Sequence, residues 1–340
     1  MRRPSLRQIA LALAVLELAA AAGPAASSSR SVYTRGVDVS HWRGRIAWPR
    51  VAAAGYRFAY AEATNGARTD PLYARFRRDA PAAGLAFGAF HLARPSGATP
   101  DAVAADAVAE ARHFLAVARP RTGELVPVLD LEHTGGLRPA ALGAWTSAWL
   151  AEVQAELGMR AVIYASPAFW RAAMANSAAF AVSGSPLWIA HWTHARSPAV
   201  PARNWGALGW TFWQWTDCLR VPGIAGCADG DRFGGPDLTR ALIPPPPVAA
   251  TPPAIAGTAS VGQTLTASPG TWTAPAPPTV TYRWQRCDAT GGACAPIAGA
   301  SGPGYTVSAA DAGHTLVVVV TATSARRSAA AQSAPTAVVA

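Results

Sequence analysis

Between residues 31 and 243 the chain alternates between two hydrophobic periods. Short apolar runs fall at 36–40, 57–61, 86–92, 125–131, 161–165, 187–192 and 211–216, and they read as buried strands. Helical stretches lie between most of them. The segment 99–118 opens on Thr99-Pro100-Asp101, a capping residue followed by proline in the first turn. In 139–157, Leu142, Trp145, Trp149, Val153 and Leu157 recur at spacings of three and four, one apolar stripe on a helix. Repeated strand–helix units predict an α/β fold with a parallel sheet. No Gly-x-Gly-x-x-Gly turn follows the first strand, which argues against the dinucleotide-binding version. The expectation is an irregular TIM-like β/α barrel over 31–243, short enough for that fold that some helices should be missing or reduced.

The pattern changes at Pro244-Pro245-Pro246-Pro247, followed by Pro252 and Pro253. Consecutive prolines neither continue a helix nor sit in a central strand, so 244–253 reads as a stiff linker. Beyond it, over 254–340, turn residues separate β-rich runs at 265–267, 280–285, 305–307 and 316–322, the pattern of a small all-β sandwich. Trp284 is expected in its core. At the other end, Arg2, Arg3 and Arg7 precede an apolar run over 9–22, and small residues follow at 23–26. That order predicts a secretory signal peptide over 1–26. The run is too short, and with Glu17 too polar, for a spanning helix. The mature protein is therefore expected to be secreted, soluble and free of the membrane.

Four cysteines fit an exported chain. Cys218 with Cys227, and Cys287 with Cys294, would close two small loops. The net charge of +10 brings nucleic acid to mind, but its distribution does not support that partner. The chain has no lysine and no run of more than two basic residues, and the excess positive charge is spread over all its segments. Mild positive charge suits an anionic polymer such as a cell wall better. Neither a phosphate-cradling loop nor an HxH or HxxxH pair occurs, so no cofactor or metal is expected.

The chemistry concentrates in Val126-Pro127-Val128-Leu129-Asp130-Leu131-Glu132, a buried-strand run ending in two carboxyls at i and i+2. On one strand these would share a face with Cα atoms roughly 6.6 Å apart. Carboxyls at the C-terminal end of a barrel strand lie where such barrels do their chemistry. Two acids this close cannot both ionise freely, and a neutral acid beside a carboxylate is the equipment of glycoside hydrolysis. Asp38 ends another apolar run, with His41 and Trp42 next to it, and Asp229 lies beside the expected Cys218–Cys227 bridge. Six tryptophans, Trp188, Trp192, Trp205, Trp210, Trp213 and Trp215, crowd into one stretch. Most belong in the core, while one or two are expected to line a sugar groove. His91 and His191 also end strands, as structural residues or substrate contacts.

Taken in order, these segments resemble the glycoside hydrolase family 25 lysozymes (N-acetylmuramidases). The resemblance rests on GVDVSHWRG at 36–44, GYRFAYAEATNG at 55–66, GLAFGAFHLARP at 84–95, VPVLDLE at 126–132, VIYASPAFW at 162–170, LWIAHW at 187–192, and FWQWT followed by VPGIAGCADGDRF over 212–233. It implies a barrel with few helices on one side. It also implies cleavage of the β-1,4 bond between N-acetylmuramic acid and N-acetylglucosamine in peptidoglycan. It carries the general-acid role onto Glu132, a supporting role onto Asp130, and two further active-site acids onto Asp38 and Asp229. Candidate substrate contacts are then Trp42, His91, Tyr164, Trp188, His191, Trp213 and Gln214, in a chain expected to act as a monomer. Two positions depart from the family pattern: Arg43 stands where glutamine is common, and Glu62 where lysine is common, which reverses a charge near the second strand's end. The tail resembles a bacterial immunoglobulin-like module, through TYRWQRCDATGGAC at 281–294 and YTVSAADAGHTL at 305–316. Competing readings are a hydrolase of another N-acetylated polysaccharide such as chitin, or a non-catalytic wall-binding protein. The intact acid pair argues against the latter.

Overall fold

In the computed structural model, residues 33–324 and 327–340 are described, so the expected signal peptide lies outside the described residues. The first strand is β1 (Thr34–Val39), followed by α1 (Trp48–Ala53), β2 (Phe58–Asn65), the short β3 (Arg68–Thr69) and α2 (Tyr73–Ala82). Then come β4 (Ala86–Leu92), α3 (Pro100–Ala118), β5 (Val128–Asp130), α4 (Pro139–Leu157), β6 (Val162–Ala165), α5 (Pro167–Ala173) and α6 (Ala179–Val182). The series ends with β7 (Leu187–Ala190), β8 (Phe212–Leu219) and β9 (Ala228–Phe233). Strands β1, β2 and β4 to β8 run parallel, while β9 is antiparallel to both β8 and β1 and closes an eight-stranded barrel.

The α/β barrel expected from the periodicity is present, with its helices unevenly distributed. The turn between antiparallel β8 and β9 needs no crossover helix, and the Cys218–Cys227 disulfide ties that turn together. Capping follows the sequence signals: Thr99 accepts from the Ala102 amide at the start of α3, and Gly158 ends α4 in the left-handed region.

The barrel interior is aromatic. Tyr60 packs on Trp188, Phe58 on Phe212, and Phe212 on Phe233, with ring centroids 4.8, 5.4 and 5.2 Å apart. Two strand glycines make room for these rings. A Cβ on Gly36 would come within 2.2 Å of the Phe58 ring, and one on Gly88 within 2.3 Å of Tyr60. Outside the barrel, α3 and α4 cover β4 through Phe114 and Trp149.

The C-terminal region is β-rich. Thr279–Cys287 pairs along its length with Thr315–Ser324 in a four-stranded sheet, beside a three-stranded and a two-stranded sheet. Leu265, Trp284, Leu316, Val318 and Val320 form a hydrophobic cluster of their own. Trp284 lies fully inside it and donates its indole N–H to the Gly302 carbonyl. The second expected disulfide, Cys287–Cys294, is formed here.

Candidate active site

All the parallel strands present their C-terminal ends to one mouth of the barrel, where they build a cleft of about 400 Å³. Asp38, Ser40 and Arg43 come from the end of β1 and the turn after it, Glu62 from β2, and Phe90 from β4. Asp130 and Glu132 follow from the β5 end, Tyr164 from β6, Trp192 from beyond β7, and Gln214 and Asp217 from β8. Because β9 runs the other way, its N-terminal half reaches the same mouth and brings Asp229 opposite Asp38. The four acids singled out in the sequence thus line one cavity.

One local expectation is corrected. Strand β5 stops at Asp130, so Glu132 does not share it; Glu132 follows the strand, exposed at the mouth, while Leu131 is buried between the two acids. The 228–233 run, which is not among the apolar runs read as strands, is strand β9, and it places Asp229 and Asp231 on the same inward face.

A single amide organises the floor. Gln214 Nε2 donates to Asp38 Oδ2 at 2.8 Å, while its Oε1 accepts from the Tyr164 hydroxyl at 2.9 Å and the Trp192 indole at 3.0 Å. Both donors fix the amide's orientation, so its N–H₂ faces Asp38. Arg43 approaches Asp229 to 3.8 Å.

The carboxyls shift together. Burial pushes Asp130 well above the usual carboxylate range, with the negative charges of Glu132 and Asp38 adding to it. Glu132, although exposed at the mouth, is raised as well by the partial desolvation of the cleft wall, and the charge of Asp38 contributes. Asp38 is raised by burial, against which the hydrogen bond from Gln214 works. Asp229 is pushed up to about 8 by burial and then by the Asp38 charge, with Arg43 opposing. Such a cluster retains protons near neutral pH, as a site that must donate one requires.

The predicted substrate contacts divide. Tyr164 and Gln214 line the cleft. Trp42 is 81 % exposed beside the cleft-lining Arg43, and its ring lies 4.5 Å from that of His41. Four others do not line this cleft. His91 is fully buried, outside the cleft: its Nδ1 bonds Thr64, its Nε2 bonds Glu110, and its ring stacks on Trp149. Trp213 is buried beside Trp210, under the Arg232 guanidinium. Trp188 is buried inside the barrel, where it packs on Tyr60 beneath the acids. His191 accepts from the Ala199 amide through Nδ1 and so pins its own loop; it is not among the residues lining the cleft. Of the six crowded tryptophans, Trp192 is the one that lines this cleft.

Sequence reasoning noted Glu62 as a charge reversal and missed Asp231; both prove to be buried acids of this site. His41, Glu62 and Asp70 place possible ligand atoms within 4.8 Å of one another. Asp70 is already engaged, however: Oδ2 accepts from the His41 amide and pairs with His41 Nδ1, and Oδ1 accepts from the Leu72 amide. That trio reads as a clasp on the β1 turn.

A closed barrel with coupled carboxyls at the C-terminal mouth is the build of a glycoside hydrolase. Residues 37–224 match the family described as Glycosyl hydrolases family 25. Lysozyme M1 of Streptomyces globisporus is 34 % identical over 223 residues, covering 63 % of this chain and 70 % of that protein. The N,O-diacetylmuramidase of Arthroderma benhamiae is 28 % identical over 248 residues, 66 % of this chain and 94 % of its own. The crystal structure of the bacterial lysozyme from Streptomyces coelicolor superposes with a TM-score of 0.54 at 32 % identity, covering 59 % of this chain and 92 % of that one. This chain belongs to glycosyl hydrolase family 25.

Proposed function

We propose that the protein is a secreted lysozyme that hydrolyses the β-1,4 bond between N-acetylmuramic acid and N-acetylglucosamine in peptidoglycan. The observation that carries this reading is the convergence of Asp38, Asp130, Glu132 and Asp229 on one cleft in a family 25 barrel. Its similarity to a lysozyme and an N,O-diacetylmuramidase supports the choice of polymer. Among the described residues no helix is long and apolar enough to cross a membrane, in keeping with an exported enzyme.

Glu132, open to solvent at the mouth, is the acid that reaches a glycosidic oxygen. Partial desolvation by the cleft wall and the neighbouring charge of Asp38 keep it protonated closer to neutral pH than an ordinary glutamate. Asp130 lies deeper, with Oδ1 buried and unpartnered among the described residues. In this reading it receives the N–H of the substrate's 2-acetamido group and aims the acetamido oxygen at the anomeric carbon. That route gives net retention. Trp192 at the wall and Trp42 at the rim offer aromatic faces to sugar rings.

The test is clearing of purified peptidoglycan and of chitin side by side, with proton NMR of the first product. Peptidoglycan clearing with the β-anomer appearing first is expected. Clearing of chitin alone would overturn the substrate, and an initial α-anomer would overturn the route.

A further inference from the structure

Below the cleft lies a carboxyl that this reaction scheme leaves without a task. Asp231 on β9 is 1 % exposed, and neither of its carboxyl oxygens has a hydrogen-bond partner among the described residues. It stands opposite Gly36 of β1 on one side and Gln214 of β8 on the other. Since Gly36 has no side chain, the group it meets on β1 is Asp38, whose carboxyl also meets that of Asp229. Tyr60 of β2 and Tyr164 of β6 lie within electrostatic reach, with their hydroxyls donated to the Val126 carbonyl and Gln214 Oε1, and the Trp188 indole of β7 lies beside it. Arg43 faces Asp38 and Asp229.

Asp38 and Asp231 are thus two buried carboxyls in contact. Both could not be ionised there without a donor or cation between them. The two differ in their other partners. Asp38 accepts an N–H from Gln214 at 2.8 Å, which stabilises its anion, whereas the donor beside Asp231, the Trp188 indole, stays outside hydrogen-bond geometry. The shared proton therefore belongs on Asp231.

We propose that Asp231 is a standing carboxylic acid which donates its O–H to Asp38, holding that carboxylate ionised and aimed into the cleft. Burial, followed by the Asp38 charge, drives Asp231 well above the usual carboxylate range, in line with this assignment. Asp231 is then a positioning residue acting through Asp38, and in that capacity it rests on the hydrolase reading above.

Two variants of the full chain test it. Asp231→Asn keeps the shape and offers an N–H but cannot titrate, whereas Asp231→Leu fills the space and offers nothing. Loss of a buried hydrogen bond to a charged group should lower kcat about 10- to 100-fold in the leucine variant, with KM little changed. Asparagine should recover most of that loss. Independently, difference infrared spectra of wild type against Asp231→Asn at neutral pH should show the carbonyl band of a protonated carboxylic acid disappearing. If no such band is lost, or if asparagine is as damaging as leucine, the proposal is overturned. Should the wild-type protein prove inert on peptidoglycan, the hydrolase reading fails, and the infrared arm still decides where the proton sits.

Discussion

Asp38 and Asp229 face each other as register partners across the antiparallel seam between β1 and β9, and only one of them has an amide donor. The seam exists because the last strand reverses, so a carboxyl from the start of β9 meets one from the end of β1. The consequence is electrostatic asymmetry. Gln214 stabilises the Asp38 anion, while Asp229 is pushed up to about 8.

That shift carries a sign for stability. In the unfolded chain an aspartate releases its proton near about 3.9, whereas folded Asp229 keeps it up to about 8. Folding takes up a proton between those values, so stability should fall as pH rises across the window. Asp38, Asp130, Glu132 and Asp231 are raised in the same direction and steepen the fall. Thermal unfolding should therefore show a higher Tm at about pH 5 than at about pH 8, with a shallower slope in Asp229→Asn. A Tm that climbs over this range would contradict the arrangement.

Removing the proton donor should be the most damaging single change in the cleft. Glu132→Gln preserves shape but has no proton to give, and general acid catalysis is typically worth about 10²–10⁴-fold. Its exposed position leaves the fold undisturbed. Asp130→Asn should come close to it in severity, and Asp38→Asn and Asp229→Asn should cost less. Initial rates of wall clearing, with circular dichroism as the folding control, rank the four variants.

The acids at the ends of β1 and β5 were legible because each follows an apolar run long enough to be a buried strand. Strand β9 was not. Its inward positions at the mouth are Asp229 and Asp231, and the rule that polar residues face solvent reads such a run as a loop. The same limit explains His91 and Trp213. Strands of a barrel wrapped in helices are apolar on both faces, so the sequence does not show which neighbour points inward. In the structure Phe90 and Gln214 take the inward positions, and the residue beside each turns to the outer layer.

Gln214 should behave as a hub. Gln214→Leu leaves Asp38 without its donor and Tyr164 and Trp192 without their acceptor. Loss of a hydrogen bond to a charged group alone predicts roughly a tenfold or greater fall in kcat. Gln214→Glu places another carboxyl against Asp38 and should lower Tm most steeply at alkaline pH, where both would have to ionise. A Gln214→Glu protein as stable as wild type at high pH would show that the amide N–H is dispensable to Asp38.

The limits of the catalytic unit can be tested at the proline run. Residues just before it are stitched onto the barrel: the Val126 amide donates to the Ala241 carbonyl at 2.9 Å, and the Ile243 amide donates to the Glu124 carbonyl at 2.7 Å. Leu125 and Leu242 form a β-bridge, and Ala241 and Ile243 are buried in the barrel's hydrophobic cluster. The β-rich C-terminal residues build a separate cluster around Trp284. A chain ending at Pro247 should therefore fold and cleave soluble wall fragments with wild-type kcat. One ending at Leu238 strips the stitch and exposes the core beneath Ile243, whose burial alone is worth about 1.5–3 kcal/mol. It should unfold several degrees earlier or fail to accumulate. If the chain ending at Pro247 is itself unfolded, the barrel depends on the β-rich residues beyond the prolines, and the boundary read from that run is wrong.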